Sequence, residues 1–392
     1  MALLRTLSEL ARDGAVQVEE GLDALKSEVA RRVGVESDHL HLQSYRGFGT
    51  RERFVMSGRA LRGKPLEPAD EDQGLWTNVL EAIRRFESDE IPRAAIRAEF
   101  GTVERSLTTD EEGYFDLDWR VPEDQVGAEP WQEVTLTLRD PHDADATATA
   151  TGRVLVPGED AEFGIISDID DTVLVTGATS LGSMARLTLL HNARTRLPFE
   201  GVAGLYHALE AGSDGARRNP LFYVSSSPWN LYDLLDDFFR HRDLPEGVIL
   251  LRDLGLTEDH WVKSGHGHKR EKIERILDLY PHLPFVLIGD SGQEDPEIYR
   301  SVVEAYQGRI RAVFIRDASP GTPRASEVAA LAEETTRAGT LMALVDDSRA
   351  AALLSVDAGL IPPSALETVG LALDLDARRP TAAEALASDV AG

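Results

Sequence analysis

The chain has 392 residues, 68 of them Asp or Glu against 41 Lys or Arg, for a formal net charge of -27. That charge argues against general nucleic-acid binding and against more than transient contact with anionic membranes. Cysteine is absent, which excludes disulfides, thiol catalysis and Cys-ligated zinc, and no run has the apolar character of a signal peptide or a bilayer span, so a soluble cytoplasmic protein of two domains is the expectation.

Residues 1–38 read as a helical segment, because Leu3, Leu7, Leu10, Val18, Leu22, Leu25 and Val29 recur at three- and four-residue steps. From His39 the period shortens. Phe115, Leu117 and Trp119 alternate with Asp116 and Asp118, and Val134, Leu136 and Leu138 alternate with threonines. Residues 39–157 are therefore expected to form an antiparallel, β-sandwich-like domain, interrupted by a helix over 75–86. Thr109-Asp110-Glu111-Glu112-Gly113 reads as a turn between two strands. Tyr45-Arg46-Gly47-Phe48-Gly49-Thr50 is Gly-rich but lacks the lysine and helix of a phosphate loop, so it too reads as a turn. No catalytic constellation is visible in this half.

After a linker at Pro157-Gly158-Glu159-Asp160 the pattern becomes strand–helix alternation, which predicts a parallel α/β domain over 158–346. Strands are expected at 164–167, 221–224, 248–251, 285–288, 310–315 and 341–345. A helical insertion over 176–212 could form a small cap, with an enlarged crossover as the alternative, and 347–392 reads as a C-terminal helical segment.

Four pieces in this half carry chemistry. The first is Asp168-Ile169-Asp170-Asp171-Thr172, where a buried strand runs into three acids. Acids so close repel one another, and a divalent cation is the usual compensation. The second is Ser225 at a strand end, followed by Ser226-Ser227-Pro228, with Ser227 suited to cap and Pro228 to open the next helix. Backbone N–H groups there could cradle an anion. The third is a basic cluster containing Lys263, His266, His268, Lys269, Arg270 and Lys272, from which one lysine could pair with phosphate. The fourth is Gly289-Asp290 with Asp295-Pro296, a second strand ending in acids, where Gly289 permits close backbone approach.

In this order the pieces resemble the haloacid dehalogenase superfamily of phosphotransferases. More narrowly, Ser167 to Val173, Tyr223 to Tyr232 and Leu287 to Tyr299 resemble the actin-patch-type phosphatidate phosphatases. The resemblance implies a haloacid dehalogenase-like (Rossmann-like) domain with a small helical cap. It implies that Asp168 attacks phosphorus and Asp170 serves as acid and base, with Thr172 in support. Mg²⁺ would be held by Asp168, Asp170 and Asp290. Ser225 and Lys269 would bind the phosphoryl group, Asp295 would steer the lysine, and Lys263 and Lys272 remain alternatives to Lys269. His191, Arg194 and Arg196 in the insertion are candidates for holding the phosphate end of an amphiphile. The implied reaction is hydrolysis of phosphatidate to diacylglycerol and phosphate. The rivals are the same chemistry on a soluble phosphate ester and a non-catalytic lipid- or protein-binding scaffold.

Overall fold

The computed structural model describes residues 39–63, 89–140, 146–169, 199–252 and 267–379. The expected helices over 3–33 and 75–86 lie outside these residues. The amino-terminal part contains β1 (Leu40–Ser44), β2 (Gly47–Gly49), β3 (Arg53–Arg62), β4 (Asp89–Glu90), β5 (Ala95–Phe100), β6 (Val103–Thr108), β7 (Tyr114–Arg120), β8 (Trp131–Arg139) and β9 (Thr147–Leu155). The strands form one hydrogen-bonded sheet of nine instead of two separate ones. Its two ends nevertheless share a core, since Phe54 of β3 packs against Phe100 of β5 at 4.8 Å between ring centroids. The alternation of Phe115, Leu117 and Trp119 holds, with these residues buried and the intervening aspartates exposed.

One local expectation holds in this part and one fails. Thr109 to Gly113 is the expected turn between two strands, although those strands are not paired with each other: β6 pairs with β5 while β7 pairs with β3. The Asp110 carboxylate accepts the backbone N–H groups of Glu112 and Tyr114, so the turn carries the chain from one end of the sheet to the other. Gly47-Phe48-Gly49 is a strand and not a turn. A Cβ at Gly47 would lie 2.4 Å from the Val55 carbonyl oxygen, and one at Gly49 2.4 Å from that of Arg53. The two glycines let β2 lie close against β3, so their reason is steric.

The second sheet holds β10 (Gly164–Asp168), β11 (Leu221–Pro228), β12 (Val248–Arg252), β13 (Phe285–Asp290), β14 (Ile310–Arg316) and β15 (Leu341–Val345). All six strands match the sequence expectation. They pair in parallel in the order β12-β11-β10-β13-β14-β15. The order reverses direction between β10 and β13, and that is where open α/β sheets leave a crevice at the carboxyl ends of their strands. Successive residues of β10 point to opposite faces. Ile165 joins a core with helices α1 (Val202–Ala211) and α2 (Tyr232–His241), while Ile166 joins one with α3 (Gly267–Leu279), α4 (Asp295–Ala305) and α5 (Pro323–Arg337). Two further helices, α6 (Ser348–Asp357) and α7 (Ala365–Ala377), cover the first face, as expected of a helical C-terminal segment. Arg242 and Asp376 form a buried ion pair at 2.9 Å that ties α7 to the end of α2. Among the described residues no helix is long and apolar enough to cross a membrane.

Of the expected insertion over 176–212, the structure describes residues 199–212. Phe199, Leu205 and Leu209 are fully buried in the core, and α1 is the crossover from β10 to β11. Two parallel neighbours need such a connection, so the leucine spacing there serves the core and not a cap. The remainder, 176–198, lies outside the described residues.

Candidate active site

Asp168 ends β10 and Asp290 ends β13, side by side at the reversal of strand order. Asp295 opens α4, with Pro296 in its first turn as expected. All three aspartates have no solvent exposure. Their carboxylate oxygens lie within 4.8 Å of one another.

Lys269, in the first turn of α3, reaches into this group. Its ammonium lies 2.6 Å from the Asp168 carboxylate and also pairs with Asp295. Burial pushes the lysine pKa down, but the two flanking carboxylates outweigh that and hold it above its ordinary value, so it stays charged. The other Asp295 oxygen accepts the Asp290 backbone N–H at 3.2 Å. Asp295 thus links the lysine to the strand that carries Asp290. Gly289 makes this possible, because a Cβ there would lie 2.4 Å from the Asp295 carboxylate. Gly289→Ala is expected to push Asp295 off the lysine and lower kcat by about tenfold or more, the scale of a small misplacement in a preorganised site. Steady-state kinetics of the folded variant would check this, and an unchanged kcat would refute it.

Fully ionised, three carboxylates against one ammonium would carry a net charge of about -2 in this buried group. A divalent cation with oxygen ligands matches that deficit in charge and donor type, so the residues fit one.

Ser225 lies within β11, buried, with its hydroxyl accepting the Ser227 backbone N–H at 2.8 Å. The expected cap at Ser227 is not formed. The chain stays extended through Pro228, a 3-10 turn follows at Trp229–Leu231, and α2 starts only at Tyr232. A proline with an extended ψ of 155° prolongs the strand, which at Pro228 still pairs with Arg252 of β12. Lys272, one turn along α3 from Lys269, donates to the Ser225 carbonyl at 3.0 Å. Its place is therefore on the β11 backbone, whereas Lys269 is on the carboxylates. Lys263, His266, Asp170, Thr172, His191, Arg194 and Arg196 lie outside the described residues.

Two supporting contacts carry no sequence signal. The buried Ser167 hydroxyl donates to the Asp168 carbonyl at 2.8 Å and contacts the Tyr206 hydroxyl of α1. A serine hydroxyl has one proton, so Tyr206 must be the donor to it. Burial keeps the tyrosine protonated by raising its pKa. Arg324 of α5 donates to the carbonyls of Ser291 and Gln293, bracing the loop between Asp290 and Asp295.

The family model for the catalytic domain of phosphatidate phosphatase APP1 matches residues 163–317. Phosphatidate phosphatase APP1 of Saccharomyces cerevisiae is 32% identical over 155 residues, which are 39% of this chain and 26% of that protein. An uncharacterized protein of Schizosaccharomyces pombe is 26% identical over 240 residues, 60% of this chain and 37% of that protein. The matches therefore cover well under half of either relative. Among solved structures, a carbohydrate acetylesterase from Xanthomonas citri aligns over 84% of this chain and 72% of its own at 12% identity, with a TM-score of 0.27, too low to carry any inference. Every described residue of the buried group falls within residues 163–317, the stretch that the phosphatidate phosphatase APP1 catalytic-domain model matches.

Proposed function

We propose that this protein is a divalent-cation-dependent phosphomonoesterase acting on phosphatidate, with diacylglycerol and phosphate as products. The observation that carries the reading is the charged Lys269 held between Asp168 and Asp295 at the switch point of the sheet, inside the region matched by the family model. The parallel domain is then haloacid dehalogenase-like, with residues 176–198 in the position of a cap and a cytoplasmic setting.

In this reading an Asp168 carboxylate oxygen attacks phosphorus, and the bond from phosphorus to the ester oxygen breaks. Asp170 gives its proton to the departing alkoxide, then takes one from the water that attacks the aspartyl-phosphate, releasing phosphate and restoring Asp168. Ser225 and Lys269 hold the phosphoryl oxygens, and Asp295 keeps the lysine pointed at them. Asp168, Asp170 and Asp290 would hold Mg²⁺, which when bound supplies positive charge against the approaching phosphate. Thr172 has a supporting role. His191, Arg194 and Arg196 would grip the phosphate end of a lipid.

Phosphate release from phosphatidate, lysophosphatidate and soluble sugar phosphates, with and without Mg²⁺, tests the reading. Turnover of phosphatidate well above the sugar phosphates supports it; the reverse order would assign a soluble ester, and no release from any would end the phosphatase reading. Excess chelator is expected to abolish activity. Asp290→Ala should raise the Mg²⁺ concentration needed for half-maximal activity by about 10-fold to 100-fold, as ligand-set losses do. Full activity in chelator would remove the cation from the scheme.

A further inference from the structure

Among the contacts between the antiparallel and the parallel domain, those of Tyr45 to Gly49 converge on the elements that present Ser225 and Lys269. The Tyr45 ring is buried and stacks on Trp229, with centroids 4.4 Å apart and planes at 14°. It also packs against Tyr232 at 4.6 Å. Trp229 directly follows the Ser225-to-Pro228 end of β11. The Arg46 backbone N–H donates to the Tyr232 hydroxyl at 2.8 Å. Its guanidinium pairs with Asp236, one turn further along α2, and lies 3.2 Å from Glu246 just before β12.

The other end of the segment reaches the opposite face of the sheet. Phe48 meets Phe222 of β11 edge-on at 5.8 Å. The Gly49 carbonyl accepts the Tyr280 hydroxyl at 3.1 Å. Tyr280 immediately follows α3, the helix that carries Lys269 in its first turn and Lys272 on the Ser225 carbonyl. One short segment therefore fastens the exit of the Ser225 loop on one face and the far end of the lysine helix on the other. Tyr45 belongs to the first hydrophobic core of the parallel domain and Phe48 to the second.

We infer that Tyr45 is a positioning residue of the site: its ring fixes Trp229, and through it the Ser225-to-Pro228 segment, in the geometry that receives the phosphoryl group. This rests on the phosphatase reading above and assigns the antiparallel domain a part in turnover. The physical reason is that a phosphate cradle made of backbone and a hydroxyl is only as well placed as the packing behind it. A flat aromatic stack between the buried Tyr45 ring and the half-buried Trp229 ring restricts sliding more than aliphatic packing of similar volume does.

The test compares Tyr45→Leu with Tyr45→Phe in the full chain. Leucine keeps an apolar side chain but loses the stacked ring; phenylalanine keeps the ring. Tyr45→Leu is expected to stay folded, with a cooperative melt, while kcat falls by about tenfold and KM changes less than twofold. Tyr45→Phe should restore kcat to near the unsubstituted value. Backbone amide exchange over residues 225–232 should quicken in Tyr45→Leu but not over β5 and β8, which Tyr45 does not support. An unchanged kcat in folded Tyr45→Leu would overturn the inference, as would a loss no greater than the fraction unfolded. Should the unsubstituted protein release phosphate from no ester, the phosphatase reading fails by itself. Exchange then decides the positioning role: faster exchange over 225–232 upholds it, and unchanged exchange overturns it.

Discussion

Asp168→Asn should leave a folded protein whose turnover is lower by on the order of 10³-fold or more, because an amide is nearly isosteric with the carboxylate but a poor nucleophile. The structure sharpens what should happen to stability. Asp168 is one of three fully buried aspartates, and Lys269 pairs with it and with Asp295. Neutralising it removes an attraction to Lys269 but also two repulsions, and Lys269 keeps its pairing with Asp295. The melting temperature should therefore stay level or rise, so that lost activity cannot be blamed on unfolding. Phosphate release, a thermal melt and a search for phosphorylated protein by intact mass after brief substrate exposure would decide it. Near-normal turnover in the variant would remove Asp168 as nucleophile and with it the proposed mechanism.

The strand ends were legible because burial and chemistry leave a joint mark in the sequence. Phe285 to Ile288 is an unbroken apolar run, as a strand covered on both faces must be, and the first polar residues after it are the ones at the carboxyl edge. The same logic located Asp168, whereas Lys269 came from the family resemblance, by its place just ahead of a helix. What the sequence hid were features whose cause lies far along the chain. Gly164 breaks the apolar run of β10 because the Phe285 ring lies across it, so that a Cβ there would sit 2.2 Å away. Gly47 and Gly49 read as turn residues because glycine marks turns locally, yet their role is set by the carbonyls of β3. Ser227 followed by Pro228 matched a cap signal, but Pro228 still pairs with Arg252 of β12 and the helix starts only at Tyr232. The leucines of α1 had helical spacing, which gives a face without saying what that face meets. Each miss concerns a partner, and a partner distant in sequence leaves no periodicity.

Lys269→Met should damage both activity and stability, and the two losses have different causes. Activity falls by on the order of 10³-fold because a charge aimed at the phosphoryl oxygens disappears. Stability falls because Asp168, Asp290 and Asp295 are left in the interior without the ammonium that lies against two of them. Removing one partner from a buried ion pair costs about 3–5 kcal/mol, since the remaining charge is no longer compensated. The sign of the pH dependence follows. With the lysine gone, the buried carboxylates bind protons more readily in the folded protein than in the unfolded chain, so their folded pKa values rise. A raised carboxylate pKa makes stability fall as pH climbs past the unfolded value, so between about pH 5 and 8 the variant's melting temperature should drop more steeply than that of the unsubstituted protein. Lys269→Arg separates the two effects. It keeps the positive charge and should keep most of the stability and the flatter pH profile, while the planar guanidinium misplaces the donor and turnover stays low. Melts across that pH range with parallel phosphate-release assays would check both variants. If Lys269→Met melts with the same pH dependence as the unsubstituted protein, the lysine does not compensate the buried acids, and if Lys269→Arg retains full turnover, the site needs only a charge at that point and not the ammonium that the geometry holds there.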